Sequence, residues 1–325
     1  MSTRDGLTHH PDLYADVGWY IGVTLEHRSD EELSKRVASD ATLLTKLSQH
    51  ADQTAVIVGP SGDIEPHLLA VQYYKIATAK LEACDMQCHN GSPVVLMAQP
   101  ANAYVRYATS LHHRGHFGEH TQWAWAQAIN AWQSYGDVRL PTSTGARVRL
   151  NDFDALEDRR DKLRTEMGKV IAISSVASSA QSQELENAIL NLSADKQKLA
   201  QKLLQDWKDV SYSANFVSRC QTIMNYSAKI ARCKLERHPD VVAARKSLWR
   251  AKDSSLSRKE RERLYLGAFK QLGQLIDANS AVIEEPSFCD ELLAEIKKYQ
   301  RHILDGNELP KNFPLKDIVE TSRVP

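Results

Sequence analysis

The sequence is short of the features that most quickly assign a chain to a class. It has no surplus charge of either sign: 41 Lys and Arg stand against 41 Asp and Glu in 325 residues. Overall charge therefore gives no reason to expect a nucleic-acid or membrane partner, and any such argument has to be local. Cysteine is sparse and odd in number, five in all, which does not resemble a disulfide framework and points to a reducing, cytoplasmic compartment. No stretch approaches the ~20 apolar residues that cross a bilayer, so no transmembrane segment is expected. The opening MSTRDGLTHHPDLYADVG also lacks the apolar core of a signal peptide. Neither G-x-S-x-G, H-E-x-x-H nor C-G-x-C-W occurs, which leaves nucleophile and zinc-protease chemistry without a motif. There is no repeat of fixed period and no low-complexity tract.

One stretch imitates a nucleotide site. Residues 55–63, AVIVGPSGD, run an apolar segment into a Gly-rich turn. A phosphate-binding loop needs backbone N–H groups to cradle phosphate, a lysine to reach it and a hydroxyl to hold magnesium. Here Asp63, Ile64, Glu65 and Pro66 follow Gly62, so lysine and hydroxyl are missing and carboxylates take their place. The expected structure is a turn at Pro60–Gly62 with a helix entered through Asp63.

What the chain does have is helical periodicity, and the predicted fold is mostly all-α. Ser29 with Glu32 and Ser257 with Glu260 form capping boxes ahead of apolar positions at helical spacing. A helix is expected over 64–86, a short strand or buried run at PVVLM (93–97), and another helix from Pro100. Trp125, Ala128, Ile129 and Trp132 share one face of a further helix that stops at Gly136. VRLPTSTGARVRL at 138–150 breaks the pattern with two β-like runs around a turn. The resulting division is an N-terminal helical domain over 1–137, a hairpin or loop linker at 138–150, a C-terminal helical bundle over 151–306, and an extended tail at 307–325. Length alone is compatible with two domains.

Two local constellations carry chemistry. Cys84-x₃-Cys88 and His112-x₃-His116 have the spacing of paired zinc ligands, one helical turn placing each pair on one side. Zinc is the cofactor this would imply, as a clasp between two helices, with His89, His113 and His120 as substitute ligands. Glu119 is the local base that a catalytic version would need. The competing reading is buried cysteines and a histidine-rich turn interrupted by Gly115 and Gly118. Arg106–His112 and Arg232–His238 repeat an arginine-to-histidine spacing seen in some helical ribonucleases, among chance matches elsewhere.

The second constellation is a basic stripe. Twelve Lys/Arg face five Asp/Glu between Lys229 and Arg263. Arg245, Lys246, Arg250, Arg258 and Lys259 are candidate phosphate contacts, and Trp249 is a candidate stacking platform for a base. A solvated helix face, or one docked on an acidic surface, is the plainer alternative. The small-residue run GKVIAISSVASSA at 168–180 suits close helix packing or an oligomer interface.

The function these residues imply is a non-enzymatic binding or assembly subunit with protein partners or copies of itself, and with RNA or DNA at the stripe. The alternatives are a metal-dependent hydrolase or nuclease built on residues 84–120, and a membrane-active, pore-forming helical protein.

Overall fold

The computed structural model describes residues 11–27, 45, 48–49, 56–83, 93–171 and 187–321. Among them the fold is mostly all-α, and one two-stranded antiparallel hairpin is the only sheet. The chain divides into two compact units, residues 1–135 together with 225–325, and residues 136–224. The linear partition placed its linker at 138–150, beside the first of these breaks. The second break, at residue 225, falls inside the stretch 151–306 that the sequence reads as one helical bundle.

In the first unit α1 (Pro11–His27) packs along α2 (Pro66–Ala83). Gly22 permits this approach, since a Cβ there would come within 2.6 Å of the Tyr74 ring. Both helices and the next, α3 (Pro93–Met97), begin at a proline, whose fixed φ and missing N–H suit the first helical position. PVVLM is therefore helical, a correction to the expected strand or buried run. A short apolar run has no readable period, and Pro93 decides it. Helix α4 (Gln99–His113) follows with Pro100 in its first turn, then α5 (Glu119–Gly136), which buries Trp125, Ala128, Ile129 and Trp132.

The GPSG turn leads into α2 as a small loop closed by a Val58–Ile64 bridge. Gly62 sits at φ +86° and donates to the Gly59 carbonyl at 3.1 Å, the left-handed turn geometry that glycine permits. The helix starts at Pro66, two residues after the start at 64 that the sequence suggested.

The rest of this unit is α8 (Tyr226–Glu236), α9 (Pro239–Arg250), α10 (Arg258–Asp277), α11 (Pro286–His302) and α12 (Lys316–Thr321). The Ser257–Glu260 capping box forms: Ser257 Oγ accepts from the Glu260 N–H at 3.3 Å, and the Glu260 carboxylate accepts from the Ser257 N–H at 3.0 Å. Tyr265, Phe269, Tyr299 and Phe313 make an aromatic core with centroids 5.3–6.0 Å apart. Phe313 belongs to the tail. The segment expected to lie extended instead buries Phe313 and Leu315 in this core and forms α12. Prolines 310 and 314 break the helix period without stopping the apolar residues between and beside them from docking.

The second unit holds the predicted hairpin, Leu140–Pro141 (β1) paired antiparallel with Arg147–Val148 (β2). Its turn places Gly145 at φ +82°. Helices α6 (Phe153–Ile171) and α7 (Ala194–Met224) then pack on each other through Met167, Ile171, Ala200, Leu203 and Leu204. The capping box at Ser29–Glu32 and most of the small-residue run, residues 172–180, lie outside the described residues.

Candidate functional site

The basic stripe does not form one surface. Arg232, from α8, is 1% exposed and is held by four acceptors. Its guanidinium donates to Glu285 at 2.8 Å, Ser287 Oγ at 2.6 Å, Thr109 Oγ1 at 3.1 Å and Glu291 at 2.5 Å. Arg245 is buried as well. It is paired bidentately with Glu236, which is 0% exposed, and reaches Glu291 at 3.5 Å. Burial opposes ionisation of both partners, yet Glu236 stays below the usual carboxylate range because Arg245, then His112, faces it. The same opposition raises Arg245 above its ordinary value through Glu236 and Glu291. These arginines are interior ties between helices, and they account for part of the local surplus of positive charge.

Other members of the stripe are also engaged. Lys229 donates to Asn102 at 2.9 Å and lies over the Trp132 ring at 4.8 Å. Arg258 is tied to the Ile303 carbonyl and, at 2.8 Å, to Asp305. Lys259 is exposed on α10. Of the nominated residues on α9, Lys246, Trp249 and Arg250 remain exposed, and their i, i+3, i+4 spacing puts them on one side of the helix.

Trp249 is both exposed and fixed. It keeps 44% of its surface open. The backbone of Gly115 lies so close that a Cβ there would stand 2.6 Å from the indole, and φ at Gly115 is +79°. Phe117 meets Trp249 edge-on with centroids 6.5 Å apart. The glycine that the sequence marked as a helix breaker thus seats the tryptophan on the histidine-rich corner after α4.

Beside Trp249, a cavity of about 330 Å³ opens between α9, α11 and that corner. Arg245 with Glu291, and Lys252 and Lys298 with Glu295, supply its charged lining, and Leu248 and Ala294 contribute apolar wall. Both lysines donate to the same oxygen, Glu295 Oε1, at 3.0 Å and 2.8 Å. Glu295 Oε2 is buried with no hydrogen-bond partner. Burial would raise the Glu295 pKa, but Lys298 and Lys252 hold it below the ordinary value, so the carboxylate is charged. Burial lowers the Lys252 pKa against the pull of Glu295.

His112, a nominated zinc ligand, also lines the cavity. It stacks on Phe117 at 5.4 Å and lies 5.8 Å from Trp125, while its Nε2 is buried without a partner. Burial depresses its pKa to about 4 despite Glu236 at 3.9 Å, so the ring is neutral at pH 7. His116 is exposed. Cys84, Cys88 and His89 lie outside the described residues, and among those described no group of three His, Cys, Asp or Glu side chains converges as a metal site. The arginine–histidine spacings do not build a pair either. Arg106 binds Glu26 through two hydrogen bonds at 2.8 and 2.6 Å, and His238 caps α9 by accepting from the Asp240 N–H.

Sequence reasoning missed a second cluster. Glu65, 7% exposed, takes His67 Nδ1 at 3.3 Å and Arg114 at 3.0 Å, and Tyr107 meets His120 Nε2 at 2.6 Å. A Cβ on Gly59 would stand 3.2 Å from the Glu65 carboxylate, so the GPSG turn closes over this group. Burial opposes the charge of Glu65, but His67 and Arg114 keep its pKa low. The available signal was the pair Glu65 and His67 immediately after the turn.

Comparison with family models, curated proteins and solved structures finds no match to this chain.

Proposed function

We propose that the protein is a non-enzymatic binding subunit whose partner is a single-stranded nucleic acid, taken by the exposed side of α9. The observation that carries this reading is Trp249, a large aromatic side chain held by Gly115 and Phe117 yet 44% exposed, with Lys246 and Arg250 beside it. An immobilised indole offers a π-face to any unstacked base, worth about 1–3 kcal/mol per base. Neighbouring cations neutralise phosphates, which fixes position without reading sequence. Arg245 has no part in this contact, being committed to Glu236, and Lys259 extends it only as an additional charge. Enzymatic readings have less support, because His112 is stacked and buried and the arginine–histidine pairs are separately engaged.

The test is fluorescence anisotropy with a labelled oligothymidylate across a salt series. Affinity falls as salt rises, and Lys246→Glu with Arg250→Glu lowers the log–log slope by about 0.7 for each phosphate that is no longer neutralised. Trp249→Ala weakens single strands more than duplex. Absence of binding at low salt, or binding unchanged in the double charge reversal, rejects the reading.

A further inference from the structure

The cavity beside Trp249 offers a nucleic-acid strand little free positive charge. Of the six Lys, Arg, Asp and Glu side chains in its lining, five are already engaged. Arg245 is held by Glu236 and reaches Glu291 at 3.5 Å, Arg232 donates to Glu291 at 2.5 Å, and Lys252 and Lys298 share Glu295 at 3.0 and 2.8 Å. A phosphate is therefore better placed outside, on Lys246 and Arg250. The sixth is Asp290, exposed on α11, which makes no hydrogen bond or ion pair among the described residues. A free carboxylate repels the backbone of a bound strand, and it only accepts hydrogen bonds. What suits it is a base edge that offers donors. Guanine presents two side by side, N1–H and the N2 amino group, which the two oxygens of one carboxylate accept together. Adenine has an acceptor nitrogen at N1, and the single N3–H of thymine lies between two carbonyl oxygens that a carboxylate repels. The cavity also has room and a stacking wall. Its volume is about 330 Å³, at the small end of ligand pockets, and Trp249 borders it while staying 44% open to solvent.

We propose that this cavity receives a guanine base of a bound single strand, with Asp290 accepting from its N1–H and N2 amino group. The inference rests on the nucleic-acid reading of α9 and adds a base preference to it. Trp249 is the same stacking surface in both, Lys246 and Arg250 hold the flanking phosphates, and Asp290 selects the base. No bond is made or broken.

Displacement of labelled oligothymidylate from the full chain by unlabelled strands tests the proposal. The competitors are the all-thymine strand and the same strand with one central thymine replaced by guanine, hypoxanthine or adenine. The guanine strand is expected to bind about 10-fold tighter than all-thymine, the order of discrimination that a bidentate contact to a base supplies. Hypoxanthine, which keeps N1–H but lacks the amino group, should fall between the two. Adenine, a purine of similar stacking surface, should gain much less than guanine. Asp290→Asn should remove most of the guanine preference and bind all-thymine no more weakly than the parent does, which separates base selection from a loss of folding. Guanine no tighter than all-thymine, adenine as tight as guanine, or a preference that survives Asp290→Asn overturns the proposal and leaves the nucleic-acid reading standing. If none of the strands binds at low salt, that reading fails and the guanine site fails with it.

Discussion

His112 couples folding to mild acid. The ring is 7% exposed, stacked on Phe117, and faces Glu236, Arg245, Arg232 and His113. Burial outweighs the attraction of Glu236 and takes its pKa from 6.5 to about 4. In the unfolded chain the same histidine titrates near its ordinary value, so between these pH values the unfolded state holds the proton and the folded state does not. Stability therefore falls as pH drops from 6.5 toward 4. At pH 5 the imbalance amounts to about 2 kcal/mol, an appreciable share of the ~5–15 kcal/mol that holds a domain folded. The perturbation is His112→Gln, which removes the titration, and the assay is urea denaturation of parent and variant at steps from pH 7.5 to 5. The substitution loses the ring stack and lowers stability at neutral pH, but the readout is the change with pH. His113 and His120 are also depressed by burial and act in the same direction in both proteins, so the difference between the two slopes isolates His112. Parent stability should decline by about 2 kcal/mol more than that of the variant over this range. Parallel pH profiles would refute the argument, placing the imidazole in contact with water or paired with Glu236 as a cation.

Two further outcomes test the interior. Arg245→Met strips Glu236 of its cation and should cost about 3–5 kcal/mol in urea unfolding. Adding Glu236→Leu should restore much of that loss, because the cost lies in the uncompensated buried charge. Phe313→Ala should destabilise the first unit by about 3–5 kcal/mol, as expected for a core phenylalanine. A loss below about 0.5 kcal/mol, the range of an ordinary surface substitution, would mean that the tail does not dock on Phe269 and Tyr299.

The sequence by itself determined the helical character, the Ser257 cap and the hairpin, because these depend on neighbours within a few positions. Ser257 and Glu260 are three residues apart, and the Leu140–Val148 pairing encloses its own turn. A five-residue apolar run was not determined in this way, and Pro93 made it a helix. Nor did local pattern determine which cations face water. Arg245 and Lys246 are adjacent on the same helix, yet one is buried on Glu236 and the other exposed. That choice rests on carboxylates 9 and 46 residues from Arg245, on Glu236 and Glu291, brought there by the packing of α8 and α11. The same holds for Glu295, which is joined by Lys298 of its own helix and by Lys252 from the turn after α9, and for Trp249, seated by a glycine more than a hundred residues away. Charge counted along a chain gives its sum. Desolvation and pairing decide where that charge acts, and both are properties of tertiary packing.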